Sequence, residues 1–347
     1  MANGIQTSNG KAFEYACVVA LQKALSDYGK IEIEASPQLD TAKGLYEAID
    51  EKMKFSLDLA ADAAVRVVKR LEPQLWNPNN NEPLYLSIQP DSAGIKGDVR
   101  DVLCLRKQNG WEIGFSCKHN HHAVKHSRLS DTIDFGKEWI GIPCSKEYFD
   151  SVVPLFTQLR KYRDESSRDG KPMLWEDIED KSEKYYKPIL EAFMKELKRI
   201  ADEYKDTPTK LIHYLLGRND FYKVITEDKN RTTRIEAINI SGTLNSSSGK
   251  EKSIAKVPIL KMPSQFYHIG FKPNSDNTVE VVCDEGWQIS MRIHNASSKV
   301  EPSLKFDVQL VSFPSSVYAQ VEPWETPQDR QANRILAYAE KMNDYKK

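Results

Sequence analysis

Residues 101–118, DVLCLRKQNGWEIGFSCK, restrict the possible folds more than any other stretch of this chain. Val102, Leu103, Cys104 and Leu105 form a nearly continuous apolar run, as expected for a buried strand. Gln108-Asn109-Gly110 supplies the turn. Residues 111–118 then alternate, with Trp111, Ile113, Phe115 and Cys117 on one face and Glu112, Gly114, Ser116 and Lys118 on the other. Such a hairpin needs further strands and covering helices to be stable, and its surroundings provide both. A helix is predicted from about Lys11 to Tyr28, capped by Ser8 or Asn9, with Phe13, Ala16, Cys17, Ala20, Leu21 and Ala24 as its apolar face. Glu14 shares a line with Val18, Leu21 and Leu25, on or beside that buried side. A second helical region covers about Thr41 to Leu71, with a break expected near Phe55–Ser56, and LYLSIQ (84–89) adds a strand.

Beyond Lys118 the sequence predicts a helix through HNHHAVKHSRLSDTIDFGKEWI. From Phe149 to Tyr204 it is charged and helical, and SGTLNSSSGKEKS (241–253) reads as a loop or linker. The segment 257–323 carries strands separated by Asn, Asp, Ser and Pro turns. The expected class is therefore α/β (α+β), with a core over 1–150, a helical region over 151–245 and a β-rich region over 255–325. No run of about 18 apolar residues predicts a membrane span. No basic-then-apolar leader is visible, and five widely spaced cysteines without a CxxC pair fit reduced thiols in the cytoplasm.

A formal net charge of −1 excludes a chain that is basic throughout, but the charge is unevenly placed. Between Lys96 and Arg128 seven Lys/Arg stand against three acids, and four of the seven histidines fall there. A local patch of this kind is either an electrostatic footprint for phosphate or a solvated face. The string FSCKHNHH (115–122) raises a zinc reading, with Cys117, His119, His122 and His126 as ligands. Against it, Cys117 has the apolar parity of its strand and no second cysteine pair exists. The literal His-Asn-His has little value, because an HNH nuclease is named for residues spread over a ββα unit.

Asp101 and Lys118 carry a more specific chemistry. An acid opens one strand and a lysine closes the next, so antiparallel pairing brings them to the same end of a sheet. There a carboxylate can hold Mg²⁺ while the ammonium orients or activates the attacking water, offsetting charge on the pentavalent phosphorus. Asp98, three residues earlier, is the alternative ligand if the strand begins sooner.

This pattern resembles the PD-(D/E)xK nuclease superfamily, which places a carboxylate two residues before the lysine. Here that position is Ser116, which brings no negative charge. Glu112, four residues back on the same strand face, is roughly 13 Å away at strand rise. Many members carry a glutamate on the first helix, and GKAFEYA looks like that element, so the resemblance implies Glu14 as second metal ligand. GDVRDVLCL (97–105) with GFSCKHNHHAVKHSRLS (114–130) is similar to the HaeIII-type type II restriction endonucleases, and WQISMRIHNASSKVEPSLKFDVQL (287–310) is similar to a further block of such enzymes. The resemblance implies an enzyme that uses Mg²⁺ to cut both strands of double-stranded DNA at GGCC, leaving blunt ends with 5′-phosphates. It further implies a homodimer on a palindromic site and a cognate DNA methyltransferase in the same system without a stable complex. The nuclease core is then 1–150 and the DNA-recognition region 255–325.

In that setting Asn120, His122 and His126 are candidates for phosphate contact, and Lys125 and Arg128 for backbone or guanine contacts. Arg292 and His294 share a strand face with Ser290 and are the candidates for base readout. Ordinary surface or packing roles are the competing readings for all seven. Two other functions compete with restriction: a repair or recombination nuclease that reads DNA structure, and a non-catalytic DNA-binding protein for which Ser116 is the main support.

Overall fold

The computed structural model describes residues 2–77, 82–95, 97–120, 123–125, 127–168, 170–333 and 335. The chain begins with α1 (Ala2–Leu25), β1 (Ile31–Ile33), α2 (Pro37–Ala48), α3 (Glu51–Leu71), β2 (Leu84–Ile88) and the short α4 (Ser92–Ile95). β3 (Val102–Arg106) and β4 (Trp111–His119) form the hairpin, followed by β5 (Ala123–Lys125) and β6 (Arg128–Leu129). Three helices come next: α5 (Lys146–Arg168), α6 (Lys187–Glu203) and α7 (Thr207–Leu216). The remainder is β7 (Phe221–Glu227), β8 (Thr232–Ile238), β9 (Phe266–Phe271), β10 (Thr278–Cys283), β11 (Gln288–Asn295), β12 (Leu304–Ser312) and β13 (Tyr318–Pro323).

These elements form two compact units, each a mixed α/β body. The first comprises Met1–His121, Asn219–Leu260 and Ser316–Lys347. Its sheet has the order β1-β2-β3-β4-β7-β8-β13, with β1/β2 and β4/β7 parallel and the other pairs antiparallel. One sheet face carries Val102, Cys104, Ile113, Phe115, Val224 and Ile235 into a core shared with Phe13, Cys17 and Leu21 of α1 and Leu57, Ala61, Ala64 and Val68 of α3. The small residues of α3 allow a close approach to the strands, and the apolar burial is the main driving force for this layer.

The helical break falls at Ile49–Asp50 and not at Phe55–Ser56. Asp50 Oδ1 accepts from Met53 N at 2.8 Å, an N-cap that starts a new helix there. Phe55 and Ser56 then lie inside the first turns of α3, where nothing opposes helix.

The second unit comprises His122–Arg218 and Lys261–Ser315. Its sheet has the order β5-β12-β11-β10-β9, with β6 also on β12. Phe135, Trp139, Phe193 and Phe306 pack ring against ring, with centroids 4.8–6.1 Å apart. The helix predicted after Lys118 is replaced by β5 and β6. Their partner is β12, with Leu304 opposite Leu129, Lys305 opposite Arg128 and Val308 opposite Lys125. A local helical preference loses here to hydrogen bonds from a strand almost 180 residues downstream.

The three consecutive regions read from the sequence also differ from these units. β7 and β8 lie inside the stretch expected to be helical, yet they occupy the first unit's sheet beside β4. β13 returns from the far end of the chain to pair with β8. Among the described residues no helix is long and apolar enough to cross a membrane.

Candidate active site

The β3–β4 register sets the geometry of the site. Val102 lies opposite Phe115, so Asp101, one residue before β3, reaches the end of β4. Asp101 N donates to Phe115 O at 2.7 Å, which fixes its backbone. Asp101 Oδ2 accepts from Cys117 N at 2.7 Å and from Lys118 Nζ at 3.3 Å. The acid and lysine that sequence parity placed at one sheet end are therefore in direct contact. Burial tends to discharge Lys118, but the Asp101 carboxylate, together with Glu14, outweighs it and holds the ammonium above its usual range.

Glu14 projects from α1 and is 5% exposed. Both its oxygens lie 3.2 Å from Lys11 Nζ, which also pairs with Asp91 at 2.6 Å. Burial, and then the negative charge of Asp101, push the Glu14 carboxyl up to about 8. Two carboxylates that repel each other across a partly buried space form a donor set suited to a hard divalent cation. Such an ion accepts one or two carboxylates and completes its shell with water and phosphate oxygens. Asp101 and Glu14 are the carboxylates that could supply those oxygens. Among the described residues no group of three His, Cys, Asp or Glu side chains could hold a metal ion.

Asp98 is placed differently. Arg100 Nε and Nη2 donate to its two oxygens, each at 2.8 Å, and Arg100 Nη1 donates to Glu112 at 2.9 Å. Burial opposes the charge on Asp98, but these guanidinium bonds keep its carboxyl below the usual range. Both oxygens of this alternative ligand are thus engaged. Arg100 is buried, and it lies across Gly114 so closely that a Cβ there would sit 2.3 Å from Arg100 Cδ. Arg106 is buried as well, donating to the carbonyls of Gln74, Leu75 and Glu82. Two members of the apparent basic patch are therefore internal fasteners.

Ser116 is buried, with Lys223 of β7 as its register partner. Burial brings Lys223 down to about 8, with Glu236 opposing that shift and Lys118 reinforcing it. Cys117 points into the core, its Sγ 3.8 Å from that of Cys17. The Cys17 thiol beside it, together with burial, pushes the Cys117 thiol well above its usual range. Asn120 adopts φ +51°, a left-handed conformation that Asn tolerates. Its Nδ2 donates to Asp228 Oδ2 at 2.8 Å, and its Oδ1 accepts from Asp228 N at 3.0 Å. His119 Nε2 reaches the same carboxylate oxygen at 3.0 Å. His122 and His126 lie outside the described residues.

The other DNA-contact candidates belong to the second unit. Lys125 is turned inward: its ammonium donates to Tyr214 O at 2.9 Å and lies 3.6 Å from the centroid of that ring, and burial lowers it to about 8. Arg128 is exposed and contacts Ser303 and Glu301. Arg292 and His294 share one face of β11, opposite Asp307 and Lys305 of β12.

Lys11, Asp228 and Lys223 escaped the sequence reading. Lys11 had a local signal, its i, i+3 spacing to Glu14 on a helix. Asp228 and Lys223 had none, because their neighbours near residue 118 come from strand pairing over more than 100 positions.

The profile of the HaeIII restriction endonuclease family matches residues 10–314. The type II restriction enzyme HaeIII of Haemophilus aegyptius is 39% identical over 318 residues, covering 91% of this chain and 98% of that protein. No solved structure matches the chain. The match takes in the Asp101–Lys118 hairpin, Glu14 and both sheets up to β12, and the chain belongs to the HaeIII restriction endonuclease family.

Proposed function

We propose that this endonuclease cuts both strands of double-stranded DNA at GGCC, leaving blunt ends with 5′-phosphates, and that Mg²⁺ is its cofactor. The observation that carries the catalytic part is the 3.3 Å contact between Lys118 and Asp101 at the mouth of the hairpin, with the buried Glu14 carboxyl facing the same charges. Type II restriction enzymes generally use a divalent metal. Asp101 and Glu14 would hold it, and it would supply charge neutralisation at the phosphate and a more acidic water. Lys118, kept charged, places a positive group beside the attacked phosphodiester and orients the incoming water. Asn120, its backbone N–H on Thr226 O and its side chain clamped by Asp228, is held beside that lysine, and the second N–H of its amide is the group it would offer a phosphate oxygen. Arg128, Arg292 and His294 are proposed DNA contacts. Two copies related by a twofold axis suit a palindromic target. A separate methyltransferase is expected to protect host sites without a stable complex.

The test is end-mapping on a long, fully sequenced, unmethylated DNA, with Mg²⁺ or with EDTA. Discrete blunt fragments ending within GGCC, formed only with Mg²⁺ and absent with Lys118→Ala, support the proposal. Discrete ends at another sequence discard GGCC and keep the mechanism. A smear moves the function to a nuclease that reads DNA structure, and binding without cleavage overturns the catalytic reading.

A further inference from the structure

Ser290, Arg292 and His294 occupy one face of β11, and pairing with β12 sets Asp307 beside Arg292 and Lys305 beside His294. The first couple is unequally exposed: the Asp307 side chain is 11% accessible and that of Arg292 is 57%. Arg292 Nη2 donates to Asp307 Oδ2 at 3.3 Å. This uses one of the five guanidinium N–H groups and leaves enough on the outer edge for a two-pronged contact. The buried member holds and the exposed member presents.

His294 adds an acceptor. Its Nδ1 lies 2.6 Å from the Asn295 carbonyl, which can only accept, so Nδ1 carries the hydrogen and Nε2 of the neutral ring is the acceptor. Burial, with the neighbouring cations Arg292 and Lys305, disfavours protonation more than the Asn295 carbonyl and Asp307 favour it. One strand face thus offers a donor pair followed by an acceptor. A G·C pair in the major groove offers the complement: guanine N7 and O6 accept, and cytosine N4 donates. An A·T pair puts a donor at N6 where guanine accepts, and does not match.

Resting on the GGCC reading above, we propose that β11 reads one G·C pair of each half-site. Arg292 donates to guanine O6 and N7, His294 Nε2 accepts from cytosine N4, and Asp307 is a positioning residue that holds the guanidinium in plane. The experiment measures binding of short GGCC duplexes to the full-length protein by fluorescence anisotropy, with Ca²⁺ in place of Mg²⁺. Each guanine of a half-site is replaced in turn by 7-deazaguanine, which lacks N7. At one guanine the wild type is expected to lose affinity roughly 5- to 150-fold. Arg292→Met keeps the length of the stem but has no donor, and no further loss is expected at that guanine. Asp307→Asn is expected to reduce discrimination against A·T at the same pair while the thermal melt stays unchanged. His294→Ala is expected to become indifferent to a pyrimidinone that lacks the cytosine amino group. If Arg292→Met does not fold, Arg292→Leu replaces it in the same comparison. Equal 7-deazaguanine losses in wild type and variant, with GGCC still preferred, overturn this proposal alone. A wild type with no preference for GGCC overturns the target reading beneath it.

Discussion

Glu14, the proposed metal ligand, also bears on stability. Its folded-state proton is held up to about 8, well above the usual carboxylate range of an unfolded chain. A group raised in this way favours the folded state fully below its unfolded value, and that contribution is lost as pH rises through the folded one. In EDTA, the wild type should therefore lose stability from about pH 5 to pH 8, by at most about 1.4 kcal/mol per pH unit from this group. Glu14→Gln should flatten that slope and abolish the rise in melting temperature on adding Mg²⁺. Thermal melts across this pH range, with and without the ion, check both; an unchanged slope would show that Glu14 is not the titrating group. Lys118→Ala should slow cleavage on the order of 100- to 1,000-fold, the scale of losing one preorganised stabilising donor, with DNA affinity changed only slightly. Lys118→Arg should not rescue it, since a broad planar guanidinium cannot occupy the place of a compact ammonium 3.3 Å from Asp101. Single-turnover cleavage and a filter-binding titration separate the two effects.

Within the β3–β4 hairpin, position is carried by backbone register and by one close approach. Arg100 lies over Gly114 and ties Asp98 to Glu112, which holds the segment leading to Asp101. Gly114→Ala would force a methyl group against Arg100 Cβ and Cδ, atoms that cannot move aside without moving the strand entry. The expected cost is about 1–3 kcal/mol, as for other overpacked sites, with a fall in cleavage because Asp101 shifts relative to Lys118. Urea titration and cleavage rates on the same preparation test the link; a destabilised variant of normal activity would separate Arg100 from site geometry.

At the scale of the whole molecule, each unit is stitched from distant pieces. The sheet that carries Asp101 and Lys118 is completed by β7, β8 and β13, and Trp324 just past β13 donates to Thr233 Oγ1 of β8 at 2.9 Å. A fragment ending at residue 150 would expose the β4 edge and lose three of seven strands. It should fail to give a cooperative melt or any cleavage. A fragment that melted cooperatively and cut DNA would support the consecutive division read from the sequence.

The hairpin, the parity of Cys117 and Lys118, and the buried stripe of α1 were legible because each is a short periodicity, and periodicity states which face a residue occupies. The Asp101–Lys118 pair followed from that parity and one turn. Partners across long separations leave no such trace. The replacement of a helix by β5 and β6 and the clamp of Asp228 on Asn120 depend on which distant strand arrives alongside, and the engagement of Arg106 depends on carbonyls at residues 74, 75 and 82 that the local pattern does not announce. That choice is made by packing of the assembled core, where burial and hydrogen-bond satisfaction are settled for both partners at once.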